Sequence, residues 1–226
     1  MLIRTCIICL TGIAIGCTTA SFQGENCNIV VGNVTFSRAL NGAANASRVQ
    51  QATLEMASGP ATDYFNAPNG TEKYGNAPLL LTAIDNTQPF TFTTQVTPAF
   101  DSTYDAGALY VFEHENHWQK FAFEMDERKA TRIVTVRTLG TSDDNNHEAV
   151  ASPSVFLKIS SDVESIGYYF STDGVTWQLA RVYKNDFPAT TWIGLSAQSP
   201  LGAGITATFE KITRSAEAVK DFRQGL

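Results

Sequence analysis

Residues 108–125 read ALYVFEHENHWQKFAFEM, and this stretch decides the fold class. It predicts two strands, 108–113 and 118–125, joined by a hairpin across residues 114–117. Side chains of a strand alternate between the two faces of its sheet. The face of the second strand that is apolar enough for a core carries Gln119, Phe121, Phe123 and Met125. The other face carries Trp118, Lys120, Ala122, Glu124 and Asp126, a set that suits an open groove better than a core.

Strand patterns continue on both sides of this hairpin, separated by turns. The further predicted strands are 88–96, 131–138, 155–159, 166–171, 175–182, 192–197 and 204–212. Asp173-Gly174 is a strong turn signal because both residues tolerate positive φ. No helical pattern of ten residues appears before Ser215. A helix remains an alternative only for the tail after Ser215. Short strands without alternating helices favour an all-β sandwich or jelly roll in one domain.

Composition excludes several classes of protein. With 43% hydrophobic and 17% charged residues in 226, the chain is not disordered. Its net charge of −6 and the lack of a basic stripe argue against nucleic-acid binding, and make polyanionic glycans poor ligands. After Cys27 no cysteine occurs, so the domain depends on its hydrophobic core, and a cysteine-based zinc site is excluded.

The first residues predict export. Arg4 precedes an apolar run, 6–16, which is too short to span a bilayer but suits a signal peptide. Gly16-Cys17 then resembles a bacterial lipoprotein cleavage box. We therefore expect a signal peptide (1–16), lipid on Cys17, a tether (17–27) and one domain (28–226), tied to the membrane of the cell envelope only by that lipid. Cleavage after Ala20 is the alternative; it gives a secreted or periplasmic protein, in which Cys17 and Cys27 could form a disulfide.

Several motifs together resemble a known family. They are Asp105–Phe112, Trp118-x-Lys120-x-x-x-Glu124, Ile133–Val136, Thr62–Phe65, Tyr169–Trp177 and Ile193–Pro200. Their order and spacing over about residues 50–222 are similar to the regulation-of-enolase-protein family of the concanavalin A-like lectin/glucanase superfamily. The resemblance implies a concanavalin A-like jelly-roll β-sandwich of two antiparallel sheets. It implies a function poorly, because a fold does not determine an activity.

The mixed face of residues 118–126 is the best candidate for a binding site. A carbohydrate could stack on Trp118, with Lys120 and Glu124 bonding to its hydroxyl groups. If the sheet bends as in lectins, this face is the concave one. The alternative is a partly buried tryptophan beside a stabilising Lys–Glu pair, in a structural or protein-interaction domain. Further ligand-binding candidates are Tyr110, Arg137, Asp63 and Tyr64.

Glu124-x-Asp126 is the candidate for catalysis, as an alternative function. The two carboxylates lie on one side of a strand, about 6.5–7 Å apart along the backbone, and retaining glycoside hydrolysis needs carboxyl groups about 5–5.5 Å apart. Glucanases of the superfamily use Glu-x-Asp-x-Glu, and Arg128 occupies the third acidic position here. The motif is incomplete, and a charged turn is the competing interpretation.

Metal sites and the remaining motifs are weaker. His114, His117 and His147 fall in predicted loops and make no convincing metal set. The acidic stretch 143–148 could hold a structural calcium through its oxygens, although a solvated loop is favoured. No other cofactor is expected. Residues 171–177 resemble the Asp-box hairpin of sialidases, which predicts a structural turn with Trp177 packed against the core.

Overall fold

The computed structural model describes residues 24–226. The expected signal peptide, the cleavage site and Cys17 lie outside these residues. Within them, no helix is long and apolar enough to cross a bilayer. The one helix, α1 (Ala43–Ala46), is a single turn. The tail after Ser215 forms turns rather than the helix that its sequence left open.

Seventeen strands make up the described part of the chain. In chain order they are β1 (Glu25–Val31), β2 (Val34–Leu40), β3 (Ser47–Gln50), β4 (Thr53–Ala57), β5 (Tyr64–Asn66), β6 (Lys73–Gly75), β7 (Leu79–Asp85), β8 (Phe90–Pro98), β9 (Ala106–His114), β10 (His117–Met125), β11 (Thr131–Leu139), β12 (Thr141–Ala149), β13 (Val155–Ser161), β14 (Ser165–Ser171), β15 (Gln178–Lys184), β16 (Thr190–Gln198) and β17 (Thr206–Ser215).

The strands form two large antiparallel sheets and one small hairpin. The larger sheet has the order β1-β2-β7-β16-β9-β10-β11-β12, and the smaller has the order β15-β14-β13-β8-β17-β4-β3. Strands β5 and β6 pair only with each other. The non-consecutive neighbours, such as β16 between β7 and β9, are the long crossovers of a jelly-roll sandwich. The all-β sandwich predicted from the sequence is confirmed.

The main core lies between the two large sheets. Phe121 and Phe123 of β10 point into it, as the alternation predicts, and both are fully buried. Phe121 meets Tyr168 of the opposite sheet edge to face, with ring centroids 5.3 Å apart. The Tyr168 hydroxyl donates to Gln119 Oε1 at 2.5 Å, so a hydrogen bond also joins the two sheets across this core.

A second apolar cluster lies on the outer face of the larger sheet. It includes Tyr110, Trp118 and Ala122, and a segment before β7 covers it (the covering segment, 58–78, which contains the β5–β6 hairpin). Tyr64 from this segment packs on the rings below it. The side-chain amide of Asn41 holds the segment in place by donating to the Tyr64 hydroxyl at 3.0 Å and to two backbone carbonyls of the segment.

Two parts of the chain differ from their predicted structure. Residues 141–147, expected as a loop, form edge strand β12 against β11, because Gly140 turns the chain with a φ of 78°. Alternation along β12 sends Asp143 and Asp144 to opposite faces, which disperses the ligands that a calcium loop would need to gather. At the other end of the chain, β1 begins at Glu25, so residues 25–27 belong to the sheet and not to a tether.

The hairpin at residues 171–177 is structural, as predicted, but its tryptophan lies elsewhere. The Asp173 carboxylate accepts hydrogen bonds from the backbone N–H groups of Val175 at 2.8 Å and Thr176 at 2.7 Å. Trp177 packs on the outer face of the smaller sheet, where the Lys158 ammonium lies 3.5 Å from its ring centroid. The indole therefore covers a lysine rather than closing the hairpin against the core.

Candidate functional site

A cavity of about 290 Å³ opens on the outer face of the larger sheet, beside the covering segment. Its sheet residues are Lys120, Glu124, Val134, Val136, Asp144, Asn146 and Gln198. Its remaining residues are Phe65 of β5 and the loop residues Asp63, Tyr104 and Glu127. Five strands and three loops therefore meet at one concave, mostly polar site.

Strand register explains why the site is hollow. Two rows of residues run across the strands: one holds Tyr110, Lys120, Val136 and Asp144, and the other holds Gln198, Ala106, Glu124 and Arg132. Between them, Ala108 and Ala122 lie directly opposite each other, and Val134 is the next residue in that row. The side chains of this middle row are smaller than the lysine and the glutamate on either side, and Val134 lines the cavity between them.

Lys120 holds the covering segment against the sheet. Its side chain is 4% exposed, and its Nζ donates to the Tyr64 carbonyl at 3.0 Å, to Gln198 Oε1 at 3.2 Å and to Asp63 Oδ1 at 3.3 Å. An ammonium group has three protons, and all three are directed at protein acceptors. Lys120 therefore has a structural role, and none of its N–H groups is left to donate to a ligand.

Glu124 faces the cavity as a buried carboxyl group. It is 7% exposed, and the Gln198 side-chain amide donates to its Oε2 at 3.5 Å. Burial raises the pKa of Glu124 to about 8; Lys120 opposes this shift, while the negative charge of Asp144 adds to it. At neutral pH the group is therefore mostly a neutral acid, which can donate a hydrogen bond or a proton.

Tyr104 supplies an accessible aromatic ring at the rim of the cavity. It is 37% exposed, has a φ of 68°, and donates its backbone N–H to the Met125 carbonyl at 2.7 Å. Asp105 anchors its loop, since this buried carboxylate accepts from the backbone N–H of Ser102 at 2.7 Å and from the Ser199 hydroxyl at 2.6 Å. A rigid loop thus presents the ring toward the site.

Asp126 does not join Glu124 in the cavity. Its Oδ1 accepts from the backbone N–H groups of Arg128 and Ala130, both at 2.8 Å, and its Oδ2 accepts from Arg132 at 2.7 and 2.6 Å. Burial favours the neutral acid, but these donors outweigh it and lower the pKa of Asp126. Both carboxylate oxygens are occupied, so the predicted Glu124/Asp126 catalytic pair does not exist as a pair in the structure.

Trp118 offers no ring face to a ligand. It is fully buried beneath Tyr64, and its Nε1 donates to the Glu115 carbonyl at 3.3 Å. Tyr110 is equally buried, and the ring of Tyr64 packs over both Tyr110 and Trp118. Sugar stacking on Trp118 is therefore not supported. The structure favours a stabilising role for Trp118, but the Lys–Glu pair of that alternative is absent, because Lys120 pairs with Asp63 instead.

Arg137 lies on the other face of the sheet. It forms an ion pair with Asp186, which also accepts from His117 Nε2 at 3.2 Å. His117 Nδ1 contacts Glu113 at 2.6 Å, and the imidazole stacks on Phe187 with centroids 4.3 Å apart. This cluster ties a loop to the sandwich edge. Within residues 24–226, no three His, Cys, Asp or Glu side chains gather in a group able to hold a metal ion.

The model of a protein family matches residues 40–217, which is most of the chain. The chain belongs to DUF1349, a family of proteins of unknown function. Among curated proteins, none matches this DUF1349 sequence.

Solved structures share the fold of this DUF1349 chain at low sequence identity. A functionally unknown protein from Saccharomyces cerevisiae is 20% identical with a TM-score of 0.72, over 79% of this chain and 95% of that one. A GH43B protein of a xyloglucan PUL from Bacteroides ovatus is 14% identical with a TM-score of 0.64, over 84% of this chain. The GH43 protein BlXynB from Bacillus licheniformis is 15% identical with a TM-score of 0.62, over 80%. This chain spans only 38% and 36% of those two GH43 chains.

Several cavity residues of the DUF1349 chain were not expected from its sequence. They are Phe65, Tyr104, Glu127, Asp144, Asn146 and Gln198. Asp144 and Asn146 were hidden because their stretch looked like a solvated loop. Alternating polar residues bounded by Gly140 were the available signal for an edge strand with one face toward a site.

Proposed function

We propose that this protein is a carbohydrate-binding domain whose ligand enters the cavity beside Glu124. The cavity itself carries the proposal. Its volume of about 290 Å³ is near the lower end of the range of small-molecule sites, about 300–1,000 Å³. It suits a terminal sugar better than a long stretch of polymer.

The chemistry of the cavity walls supports the same proposal. Sugars present hydroxyl groups around a ring with apolar C–H faces. Glu124, Asp144 and Asn146 offer oxygens and amide protons to the hydroxyl groups, while Phe65 and Tyr104 offer aromatic surface to the ring. The structures named as GH43 proteins share only the fold with this chain, and the xyloglucan named for one of them makes xyloglucan-derived oligosaccharides a reasonable choice for the first tests.

The proposal includes the cellular location of the protein. We place the domain at the cell envelope, held by lipid on Cys17, with a secreted or periplasmic form as the alternative. No cofactor takes part in the proposed binding. The closer likeness to the regulation-of-enolase-protein family remains a prediction, and nothing in the proposed binding depends on it.

Isothermal titration of the purified protein against plant and bacterial oligosaccharides tests the proposal. We expect one glycan class to bind, and Tyr104→Ala to weaken its binding by about tenfold through loss of an aromatic contact. Tyr74→Ala is the matched control, because Tyr74 is similarly exposed but lies outside the cavity. A folded protein that binds no glycan would overturn the proposal and favour a structural or protein-interaction domain.

A glycoside hydrolase is the second candidate function, and the raised pKa of Glu124 is the observation that favours it. A carboxyl group that holds its proton near neutral pH suits a general acid. Asp126 cannot be its partner, because Arg132 and two backbone N–H groups occupy both of its oxygens. Release of reducing ends from the bound glycan, lost in Glu124→Gln, would support this candidate. Binding without any cleavage would contradict it.

A further inference from the structure

The charges that face the cavity do not balance. Carboxyl groups come from Asp63, Glu124, Glu127 and Asp144, and the one cationic group in the lining is Lys120. Asp63 already pairs with Lys120 at 3.3 Å. Glu127 lies at the rim and pairs with exposed Arg128 at 3.8 Å. Within residues 24–226, Glu124 and Asp144 form no ion pair.

Glu124 is the most enclosed of these groups. It is more than nine-tenths buried, its Oε1 has no hydrogen-bond donor among the described residues, and Gln198 reaches its Oε2 only at 3.5 Å. A buried carboxylate without a counter-charge is costly, and such a group keeps its proton to avoid that cost. Burial accordingly raises the pKa of Glu124, and partial desolvation raises that of the more exposed Asp144. Both groups would ionise more readily if a cation entered the cavity.

We propose that the cavity selects a sugar that carries a protonated amine, with the ammonium group beside Glu124 and the charge of Asp144 adding to the attraction. This inference rests on the proposed carbohydrate-binding function and names its ligand class. An anionic sugar, such as a uronic acid, would meet carboxyl groups and would be rejected. Lys120 cannot bind the carboxylate of such a ligand, because its three protons already form hydrogen bonds to Tyr64, Gln198 and Asp63.

Binding of such a sugar is linked to proton release. The ionisable groups around Glu124 come from every adjoining element: Lys120 on β10, Arg132 on β11, Asp144 on β12, Asp63 on the covering segment, Tyr104 on its loop, and Asp126 and Glu127 in the turn after β10. The two cationic groups are already paired, Lys120 with Asp63 and Arg132 with Asp126, and the other groups are acidic. An incoming ammonium group is therefore the event that favours the charged form of Glu124. The pKa of Glu124 should then fall, and its proton should leave for the buffer.

The test compares oligomers of glucosamine and of N-acetylglucosamine of equal length, which differ in the charge of the nitrogen. Calorimetry at about pH 6, where the amine and Glu124 both hold protons, measures affinity and, in buffers of different ionisation enthalpy, proton release. We expect the glucosamine oligomer to bind at least about tenfold more tightly, with net release of about one proton. Glu124→Gln should remove both effects. Glu55→Gln, at an exposed position of β4 outside the cavity, should retain them.

Each outcome separates this inference from the proposed function. Equal or tighter binding of the N-acetylated or another neutral oligomer would overturn the selection of an amine, while leaving carbohydrate binding intact. Absence of binding to every sugar would overturn both. The comparison of the two oligomers needs only the unsubstituted protein, so it decides the inference even if Glu124→Gln does not fold.

Discussion

The ring of Tyr64 stands nearly perpendicular over the indole of Trp118, with ring centroids 5.9 Å apart and an interplanar angle of 78°. Edge-to-face packing of this kind stabilises a buried aromatic pair. It also closes the surface on which a sugar would have to stack. The most exposed aromatic residue in the lining of the cavity is Tyr104, on a different loop.

Trp118→Ala should therefore act on stability rather than on recognition. Removing a fully buried indole leaves a void beneath Tyr64, and we expect a loss of about 3–5 kcal/mol in the free energy of unfolding. Urea denaturation measures this loss. A Trp118→Ala protein that is as stable as its parent but no longer binds ligand would contradict the assignment, because that pattern requires an exposed indole.

Lys120→Met should loosen the covering segment. The substitution removes three hydrogen bonds and leaves Asp63 without its counter-charge, at an expected cost of about 3 kcal/mol. Hydrogen exchange should become faster in the backbone around Asp63 and Tyr64. Lys73→Met is the matched control: its ion pair with Glu115 is exposed, so its loss should cost less than about 1 kcal/mol. Equal effects of the two substitutions would refute the role of Lys120.

Asp126→Asn should destabilise the turn after β10 in a pH-dependent way. The pKa of Asp126 is lowered in the folded protein, so its contribution to stability is complete above its unfolded pKa, about 3.9. It disappears as the pH falls through the folded pKa. At neutral pH we expect a loss of about 3 kcal/mol, since Arg132 loses its partner.

Denaturation of both proteins across the acidic range checks the sign. The difference in stability between parent and Asp126→Asn should shrink as the pH drops below about 4. A difference that stays constant, or grows toward low pH, would be incompatible with an ionised Asp126 held by Arg132. Asp101→Asn, at an exposed position, is the control for a general effect of charge removal.

Gly194→Ala should strain the middle of the larger sheet. A Cβ atom at Gly194 would lie 2.3 Å from the Leu80 carbonyl oxygen and 2.6 Å from the side chain of Leu81. A backbone oxygen cannot move aside cheaply, so we expect a loss of at least about 2 kcal/mol. Gly59→Ala is the control, because a Cβ atom at Gly59 would meet nothing within 4 Å and the φ of Gly59 is not positive. A neutral result at Gly194 in thermal denaturation would show that β7 and β16 can separate without cost.

The sandwich could be predicted because its signals are local. The alternation in residues 118–125 correctly assigned Phe121 and Phe123 to the core, and Asp173-Gly174 marked its turn. Glu124 was also placed on the correct face by alternation alone. These inferences need only neighbours along the chain, which a single sequence contains.

The binding site was harder to predict because its features depend on distant residues. Nothing near Trp118 in sequence shows that Tyr64 covers it, and nothing near Lys120 shows that Gln198 and Asp63 take its protons. Asp126 followed the expected alternation, yet the turn that starts there supplied donors for its Oδ1, and Arg132 of β11 supplied those for its Oδ2. Contacts between residues far apart in the chain thus decided which candidates remained available to a ligand.

Strand β12 contributes Asp144 and Asn146 to the cavity and is also the last strand of the larger sheet. An unpaired strand edge is a template on which another chain can assemble, and charged or polar side chains discourage this. The residues proposed to recognise a ligand thus also protect the protein from aggregation. Changing them to apolar residues in search of tighter ligand packing would trade solubility for affinity, so selection on this strand acts on two properties at once.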